Sequence, residues 1–235
     1  MPKQIGFLLF PDVQQLDLTG PYEILASLAD TQLQLVARDL LTVKSVTGLQ
    51  LLPTTTFRDC PQLDVLCVPG GKGINALLND EETLAFVRRQ AANARYVTSV
   101  CTGALVLGAA GLLRGKRATT HWGAHEFLAA FGAIPVRERV VRDGALFTGG
   151  GVTAGIDFGL TLAAELAGKT AAEAVQLSLE YSPAPPFDAG SPESAPPEVL
   201  ARVRAQGEPL RAERQRLVDA WLASQSLPPS PSIAS

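Results

Sequence analysis

Cys101 stands where an apolar segment ends and a helix-forming segment begins. Residues Tyr96–Val100 are typical of a buried strand, and Thr102, Gly103 and Ala104 are small residues suited to a sharp turn into a helix. A cysteine on such a turn presents its sulfur outward, and the positive end of the helix dipole favours the thiolate at neutral pH. The sequence therefore predicts that Cys101 is a nucleophile.

The other two cysteines have ordinary explanations. Cys67 lies in the apolar segment 63–68, where a cysteine is usually a small buried hydrophobic residue, and Cys60 precedes Pro61 in a predicted loop as a free thiol. Three cysteines, an odd number without metal-type spacing, argue against a disulfide framework or a zinc site. We therefore expect a reducing compartment, the cytoplasm, and no bound metal.

Asp17 is the candidate acid and base. It lies between Leu16 and Leu18 after the first predicted strand, where burial would raise the pKa of its carboxyl group. A helix-capping aspartate is the alternative, and the sequence leaves both interpretations open.

A glycine-rich segment could bring backbone N–H groups to the same place. Residues 69–73 follow the predicted strand 63–68, and the amides of Gly71 and Thr102 are predicted to form a donor pair for a developing negative charge. A simple tight bend is the alternative. The lysine spacing does not fit a phosphate-binding loop.

A second glycine run and a histidine are further candidates. Residues 149–151 are all glycine, and the backbone of Gly150 and Val152 is predicted to close the pocket, unless this run is only a strand-to-helix connection. His121 is expected either near Cys101 or as a structural histidine at the start of a helix. His125, one turn later, is expected to be exposed.

Short apolar segments alternate along the chain with segments of helical periodicity. This alternation predicts an α/β fold, a doubly wound and mostly parallel sheet sandwiched by helices, with ligands at the carboxyl ends of the strands. The predicted strands are residues 5–10, 33–37, 63–68, 96–100 and 145–148. The predicted helices are residues 22–28, 81–94, 102–110, 122–131 and 154–166.

The pattern changes near residue 182. Residues 1–190 are predicted to form the catalytic domain, and 191–235 a proline-rich connector and helical extension with a disordered end at 228–235. The extension is expected to hold two helical pieces, 198–204 and 210–222, separated at Gly207, Glu208 and Pro209. The apolar stripe of the second piece should pack on the core or on a second subunit. Its solvated side is predicted to carry Arg211, Arg214 and Arg216.

Composition excludes several classes of protein. The 235 residues are 46% hydrophobic, with 20 basic and 23 acidic side chains. The chain therefore lacks the excess of positive charge that is typical of nucleic-acid-binding proteins. The apolar stretch near the start is too short for a signal peptide, and no later stretch approaches membrane-spanning length. We expect neither nucleic acid nor a membrane as a partner.

Four segments together resemble the ThiJ/PfpI superfamily of class I glutamine-amidotransferase-like folds, over residues 4 to about 182. They are Asp17 after the first strand, Pro69-Gly70-Gly71, Val100-Cys101-Thr102-Gly103 and Ala118-Thr119-Thr120-His121-Trp122. The resemblance implies a flavodoxin-like sheet with Cys101 on a nucleophile elbow. The surroundings of Asp17 and Cys101, the segment 149–157 and the segment 179–183 are most similar to the isocyanide-hydrating branch of the superfamily.

This branch implies a covalent reaction without metal or organic cofactor. Cys101 would attack the terminal carbon of a small-molecule isocyanide while Asp17 protonates nitrogen, giving a thioimidate. Water activated by the same carboxylate would then release an N-substituted formamide. Thr102 and the amides of Gly71 and Val152 would position these groups, and a homodimer is usual in the superfamily.

Two other functions stay open. One is a glyoxalase or deglycase acting on 2-oxoaldehydes, although many such members carry glutamate where this chain has Asp17. The other is a non-enzymatic sensor domain of a transcription regulator, which would need a helix-turn-helix module of roughly 100 residues where about forty follow Ser191. The protease branch places histidine directly after the nucleophile, a position that Thr102 occupies here.

Overall fold

A central seven-stranded sheet organises the chain, of which the computed structural model describes residues 2–225. Its strands lie in the order β10-β11-β7-β6-β1-β2-β5, and every neighbouring pair is parallel except β10 and β11. They are β1 (Lys3–Leu8), β2 (Thr31–Ala37), β5 (Thr55–Thr56), β6 (Val65–Val68), β7 (Tyr96–Val100), β10 (Val140–Asp143) and β11 (Leu146–Gly149). Two short ribbons complete the strands: β3 (Val43–Lys44) with β4 (Gln50–Leu51), and β8 (Arg117–Ala118) with β9 (Ile134–Pro135).

The central strands are apolar because helices cover both faces of the sheet. Every residue of β6 and of β11 is buried. The register aligns the ends of neighbouring strands, with Val68 opposite Ser99 and Gly149 opposite Val100. The loops after β6, β7 and β11 therefore meet at one edge of the sheet, and the prediction of a doubly wound, mostly parallel sheet is confirmed.

Two helical layers flank the sheet. One contains α1, α5 and α6, and the other contains α2, α3, α4, a 3₁₀ helix and α7. The bounds are α1 (Gln15–Ala26), α2 (Ile74–Leu77), α3 (Glu81–Ala91), α4 (Gly103–Ala109), α5 (Ala154–Ala167), α6 (Lys169–Ser178), α7 (Pro197–Gln225) and the 3₁₀ helix (Trp122–Phe131).

Helix α1 begins seven residues before the predicted start at Tyr22, and it continues through Pro21. Packing against α5 explains this difference. A Cβ added to Gly159 would lie 3.1 Å from the Cα of Pro21, so the absence of a side chain lets the two helices approach closely. The contact stabilises a helix that local propensity would have ended at the proline.

The C-terminal extension forms one helix, α7, rather than the two predicted pieces, since the backbone stays helical through Gly207, Glu208 and Pro209. Val218 and Trp221 are buried in the core, and the indole Nε1 of Trp221 donates to the carbonyl of Ala109 at 3.2 Å. The apolar stripe of α7 therefore packs on its own chain.

The boundary at residue 190 stays a prediction, and the predicted disorder at 228–235 lies outside the described residues. Between residues 2 and 225, no helix combines the length and the apolar character needed to cross a membrane.

Candidate active site

Cys101 lies on a sharp turn between β7 and α4, as predicted. Its φ of 56° falls in the left-handed region that non-glycine residues rarely adopt. Two hydrogen bonds hold this backbone: the Cys101 amide donates to the Gly149 carbonyl at 3.0 Å, and the Thr120 hydroxyl donates to the Cys101 carbonyl at 2.7 Å. A strained residue fixed in this way presents its side chain in one defined direction, which suits a nucleophile.

Asp17 lies in the first turn of α1 but does not cap it. Its side chain is fully buried, and Oδ2 accepts a hydrogen bond from the Gly70 amide at 3.0 Å. Oδ1 is also buried, and none of the described residues gives it a hydrogen bond of ordinary geometry. Burial raises the pKa of Asp17 to about 7, while the interactions with Cys101 and with the Gly70 amide partly oppose this increase. Asp17 is therefore placed to hold or release a proton near neutral pH.

The thiol of Cys101 is not the ready thiolate that the helix-dipole argument predicted. Burial raises its pKa well above the ordinary value, and the negative charge of Asp17 raises it further. Interactions of the sulfur with the amide and the hydroxyl of Thr102 act in the opposite direction and lower this pKa. Since α4 has only seven residues, its dipole does not outweigh the desolvation of a sulfur enclosed beside a carboxylate. Ionisation of Cys101 is therefore coupled to proton uptake by Asp17.

The backbone donors are arranged differently from the predicted pair. The Gly71 amide donates to Oγ1 of Thr102 at 3.1 Å, and the Gly150 amide donates to the Arg139 carbonyl at 2.9 Å, so both are engaged within the protein. Among the described residues, the amide of Val152 has no hydrogen-bond acceptor, and Val152 lines the same pocket as Cys101.

His121 satisfies both of the interpretations that the sequence left open. Its Nδ1 accepts a hydrogen bond from the Gly123 amide at 3.1 Å, which caps the 3₁₀ helix, and its ring lines the pocket with Cys101. Burial lowers the pKa of His121, and the charge of Arg214 lowers it further, so the neutral ring presents Nε2–H. His125 is buried rather than exposed, since its Nε2 bonds the Val136 carbonyl at 3.1 Å.

A pocket of about 860 Å³ opens beside the sulfur. Cys101 and Thr102 of the elbow line it together with several residues of α7. Apolar side chains provide space for a hydrophobic substituent; they are Val46, Trp122, Val152, Leu200, Val203 and Leu210. The C-terminal helix is therefore part of the site, a role that the sequence did not assign to it.

Arg214 is the pocket residue that the sequence analysis placed wrongly. Helical periodicity put it on the solvated face of α7, but the side chain is only 5% exposed. It lines the pocket with Cys101 and His121, and its Nε donates to Oδ1 of Asn75 at 3.0 Å. No pattern in the sequence indicated this contact, which brings together α7 and α2; the Asn75 amide also donates to Glu213 on α7 at 2.9 Å.

The remaining cysteines follow the predicted pattern of ordinary thiols. Cys67 is fully buried in β6 and Cys60 is partly buried, and burial raises the pKa of the two thiols to about 12 and about 11 respectively. Across the part of the chain that the structure describes, no three His, Cys, Asp or Glu side chains are grouped as a metal site would require.

Comparison with known proteins gives consistent matches. The DJ-1/PfpI family pattern matches residues 3–165. The chain is 64% identical over 227 residues to the isonitrile hydratase of Pseudomonas putida, covering 97% of this chain and all of that protein. The crystal structure of a ThiJ/PfpI family protein from Pseudomonas syringae superposes with a TM-score of 0.90 at 46% identity, covering 93% of this chain and 91% of that one.

A third relative is a regulator. The HTH-type transcriptional regulator GbdR of Pseudomonas aeruginosa is 31% identical over 77% of this chain, which spans about half (51%) of that protein.

Proposed function

The chain belongs to the DJ-1/PfpI family, and on that premise we propose that it adds water to isocyanides, R–N≡C, and releases N-substituted formamides. The observation that carries the substrate class is the 64% identity to an isonitrile hydratase along that protein's whole length, isonitrile being a synonym of isocyanide. The reaction makes the protein a carbon–oxygen lyase. The pairing of Cys101 with a buried carboxyl group supports hydration through a covalent intermediate independently of this sequence identity.

The reaction begins with transfer of the thiol proton of Cys101 to Asp17. The two groups interact directly, and the pKa of Asp17, about 7, allows the carboxyl group to take up that proton. The interactions of the Thr102 hydroxyl and amide with the sulfur favour the thiolate and stabilise it as it forms. The pair carries one negative charge before and after the transfer, so no second charge has to be buried.

The thiolate then attacks the terminal carbon of the isocyanide. Asp17 returns its proton to that carbon, because the thioimidate Cys101–S–CH=N–R carries its hydrogen there. This differs from protonation at nitrogen, which the sequence-based scheme assumed.

The same carboxylate completes the hydration. Asp17 accepts a proton from water as the oxygen adds to the thioimidate carbon, and it passes that proton to nitrogen. Collapse of the adduct breaks the carbon–sulfur bond, and the departing sulfur takes up the hydroxyl proton. The products are R–NH–CHO and the free thiol of Cys101, so one water is consumed for each isocyanide.

The other site residues position the reactants. Val152 and His121 both line the pocket, and their N–H groups that bond no other described residue would hold the substrate or the attacking water. Gly71 and Gly150 act through other residues and not on the substrate itself. The amide of Gly71 orients the Thr102 hydroxyl, and the amide of Gly150 fixes the loop before Val152.

We also retain two predictions about the assembly and its setting. A homodimer is proposed from the superfamily resemblance alone, since the apolar stripe of α7 that suggested it packs on its own chain. A cytoplasmic location is proposed because the three cysteines are free thiols. Light scattering at micromolar concentration measures the first.

The decisive experiment compares two alanine variants on an alkyl isocyanide. Cys101→Ala should lower formamide production by at least about a thousandfold, because the covalent route is lost. Cys60→Ala, the matched control in a loop distant from the pocket, should keep wild-type activity. Retention of more than about a tenth of the activity in Cys101→Ala would exclude covalent catalysis.

A deglycase function makes a different prediction. Incubation of the wild-type protein with methylglyoxal should leave the aldehyde unconsumed, whereas a glyoxalase or deglycase would remove it through a hemithioacetal on Cys101. Consumption of methylglyoxal without formamide production from isocyanides would replace the proposed function.

A further inference from the structure

Arg214 is a buried cation that the proposed reaction does not use. Its side chain is 5% exposed, yet only Nε has a partner, Oδ1 of Asn75 at 3.0 Å. Within residues 2–225, neither Nη1 nor Nη2 of Arg214 forms a hydrogen bond or an ion pair. A guanidinium group has five N–H donors and stays charged in proteins. Nη1 and Nη2 of Arg214 are not among the fully buried atoms without a partner, so these donors keep accessible surface for a ligand.

The unpaired end of Arg214 belongs to the pocket. Arg214 lines it together with Cys101 and His121, and its charge acts on the titration of His121. Arg214 comes from α7 and Cys101 from the turn between β7 and α4, and both line this one cavity. A ligand bound at the sulfur therefore shares the cavity with the guanidinium.

The carboxylates near the pocket form no ion pair with Arg214, although the charge of Glu213 acts on it from a greater distance. Glu126 and Glu208 pair with Arg211 at 2.6 Å and 3.4 Å, and Glu193 lies 3.8 Å from Arg137. Glu213 accepts the amide of Asn75 at 2.9 Å. The lining is left with more cationic than acidic side chains; the cations are Lys72, Arg137, Arg204, Arg211 and Arg214, and the acids are Glu126, Glu193 and Glu208.

We propose that Arg214 binds a carboxylate group on the substituent of the isocyanide, so that the preferred substrates are isocyano carboxylates. The planar fork of Nη1 and Nη2 matches the two oxygens of a carboxylate, and the water-poor surroundings strengthen this pairing. The inference rests on the proposed function for the reacting carbon. It adds that the distal end of the substrate is anionic, while the apolar wall contacts the chain between the two ends.

The test uses isocyano carboxylates of increasing chain length, 2-isocyanoacetate to 4-isocyanobutanoate, each beside its methyl ester. For wild-type protein, kcat/KM should be at least about tenfold higher for the best carboxylate than for its ester. Arg214→Gln should lower the carboxylate-to-ester ratio by about 10- to 100-fold, mainly through KM, as expected for loss of a charge-assisted hydrogen-bond pair. Arg214→Lys keeps the charge without the fork and should give an intermediate ratio.

Arg216→Gln is the matched control, because it removes the same charge from the exposed face of the same helix. Its carboxylate-to-ester ratio should equal that of the wild type. The proposal would be overturned if the wild type preferred the ester at every chain length. It would also be overturned if Arg214→Gln and Arg214→Lys lowered kcat/KM equally for the carboxylate and the ester. Arg214 would then serve only to connect α7 to Asn75.

Calorimetry separates failure of this proposal from failure of the proposed function. N-formylglycine, the product expected from 2-isocyanoacetate, should bind wild-type protein at least about tenfold more tightly than it binds Arg214→Gln. If simple alkyl isocyanides are not hydrated but this difference is found, the anion site stands and the reaction is wrong. Equal binding to both proteins refutes the anion site whatever the activity.

Discussion

Asp17 and Cys101 work as a pair because their buried surroundings favour one proton and one negative charge on the two groups together. Two buried groups in contact cannot easily carry two negative charges, so burial raises the pKa of both and the charge of Asp17 raises the pKa of Cys101 further. A nucleophile with a permanently depressed pKa would not need a carboxyl group that exchanges protons. The proposed hydration needs such a group, because one proton has to move from sulfur to carbon and a second from water to nitrogen.

Replacing Asp17 by Asn tests this pairing. The amide keeps the size of the side chain and can still accept from the Gly70 amide, but it cannot carry a proton between steps. Turnover of an alkyl isocyanide should fall by about 100-fold or more. Asp17→Glu should retain reduced activity, because it keeps the acid and moves it by one methylene. Wild-type turnover by Asp17→Asn would mean that another group supplies the proton.

The same substitution should change how stability depends on pH. The folded pKa of Asp17 is about 7 and its ordinary value is 3.8, so folding disfavours the charged form. The resulting destabilisation is complete above pH 7, decreases as the pH falls through the interval between the two values, and vanishes below about pH 4. Asp17→Asn should therefore be more stable than wild type at pH 8 by up to about 4 kcal/mol, and equally stable near pH 4. Denaturant unfolding at pH 4, 6 and 8 measures this, with exposed Asp188→Asn as the control; a difference independent of pH would contradict the burial argument.

At the scale of the elements, the elbow depends on close backbone packing between β6 and α4. A Cβ on Gly103 would lie 2.0 Å from the carbonyl oxygen of Val68 and 2.8 Å from that of Pro69. A Cβ on Gly70 would lie 2.6 Å from both the amide and the hydroxyl oxygen of Thr102. These two glycines bring the strand ends close enough for Asp17 and Thr102 to share one small volume around the sulfur.

Two glycine substitutions compare a closely packed position, Gly103, with a position that has room for a side chain, Gly150. Gly103→Ala forces α4 away from rigid backbone, so it should lower the free energy of unfolding by about 2 kcal/mol or more and reduce activity. Gly150→Ala meets its nearest atom, the Arg139 carbonyl oxygen, at 3.5 Å, which is an ordinary contact, and stability should change by less than about 0.5 kcal/mol. Thermal unfolding and activity assays on both variants give the comparison. Equal destabilisation would show that the elbow does not depend on the Gly103 contact.

For the whole molecule, α7 adds a wall to the pocket beside Cys101. Trp221 packs edge-on against Phe131 with ring centroids 4.8 Å apart, and Val218 is buried beside the same layer. Arg214 and Asn75 connect the middle of α7 to α2. The helix is held at several points along its length, which fixes the wall that it contributes to the pocket.

Trp221→Ala should weaken this attachment. Removal of a buried indole and its hydrogen bond to Ala109 should destabilise the protein by about 3 to 5 kcal/mol and raise KM, because the wall of the pocket loosens. Arg216→Ala, on the exposed face of the same helix, should change stability by less than about 0.5 kcal/mol. Chemical denaturation and steady-state kinetics test both expectations. Destabilisation without any change in KM would separate the helix from substrate binding.

The sheet and the elbow were predictable from the order of residues alone. Buried parallel strands are apolar over their whole length, so segments such as Tyr96–Val100 are recognisable, and the residue after such a strand lies at the ligand-binding edge whatever the rest of the fold does. Cys101 and Asp17 were identifiable for this reason, because each follows a strand of the central sheet.

The protonation of Cys101 and Asp17, the free backbone donors and the part of the pocket formed by α7 depend on how distant segments pack together. The pKa of Cys101 depends on burial and on Asp17, which lies 84 positions earlier in the chain, and local helix geometry predicted the wrong direction. The amides of Gly71 and Gly150 were engaged by partners from other loops. Helical periodicity placed Arg214 on the solvated face of α7. The side chain is nevertheless buried, because α7 packs on the rest of the chain and Oδ1 of Asn75 accepts a hydrogen bond from Nε of Arg214. Periodicity describes an isolated element, whereas desolvation and charge depend on which elements lie against one another.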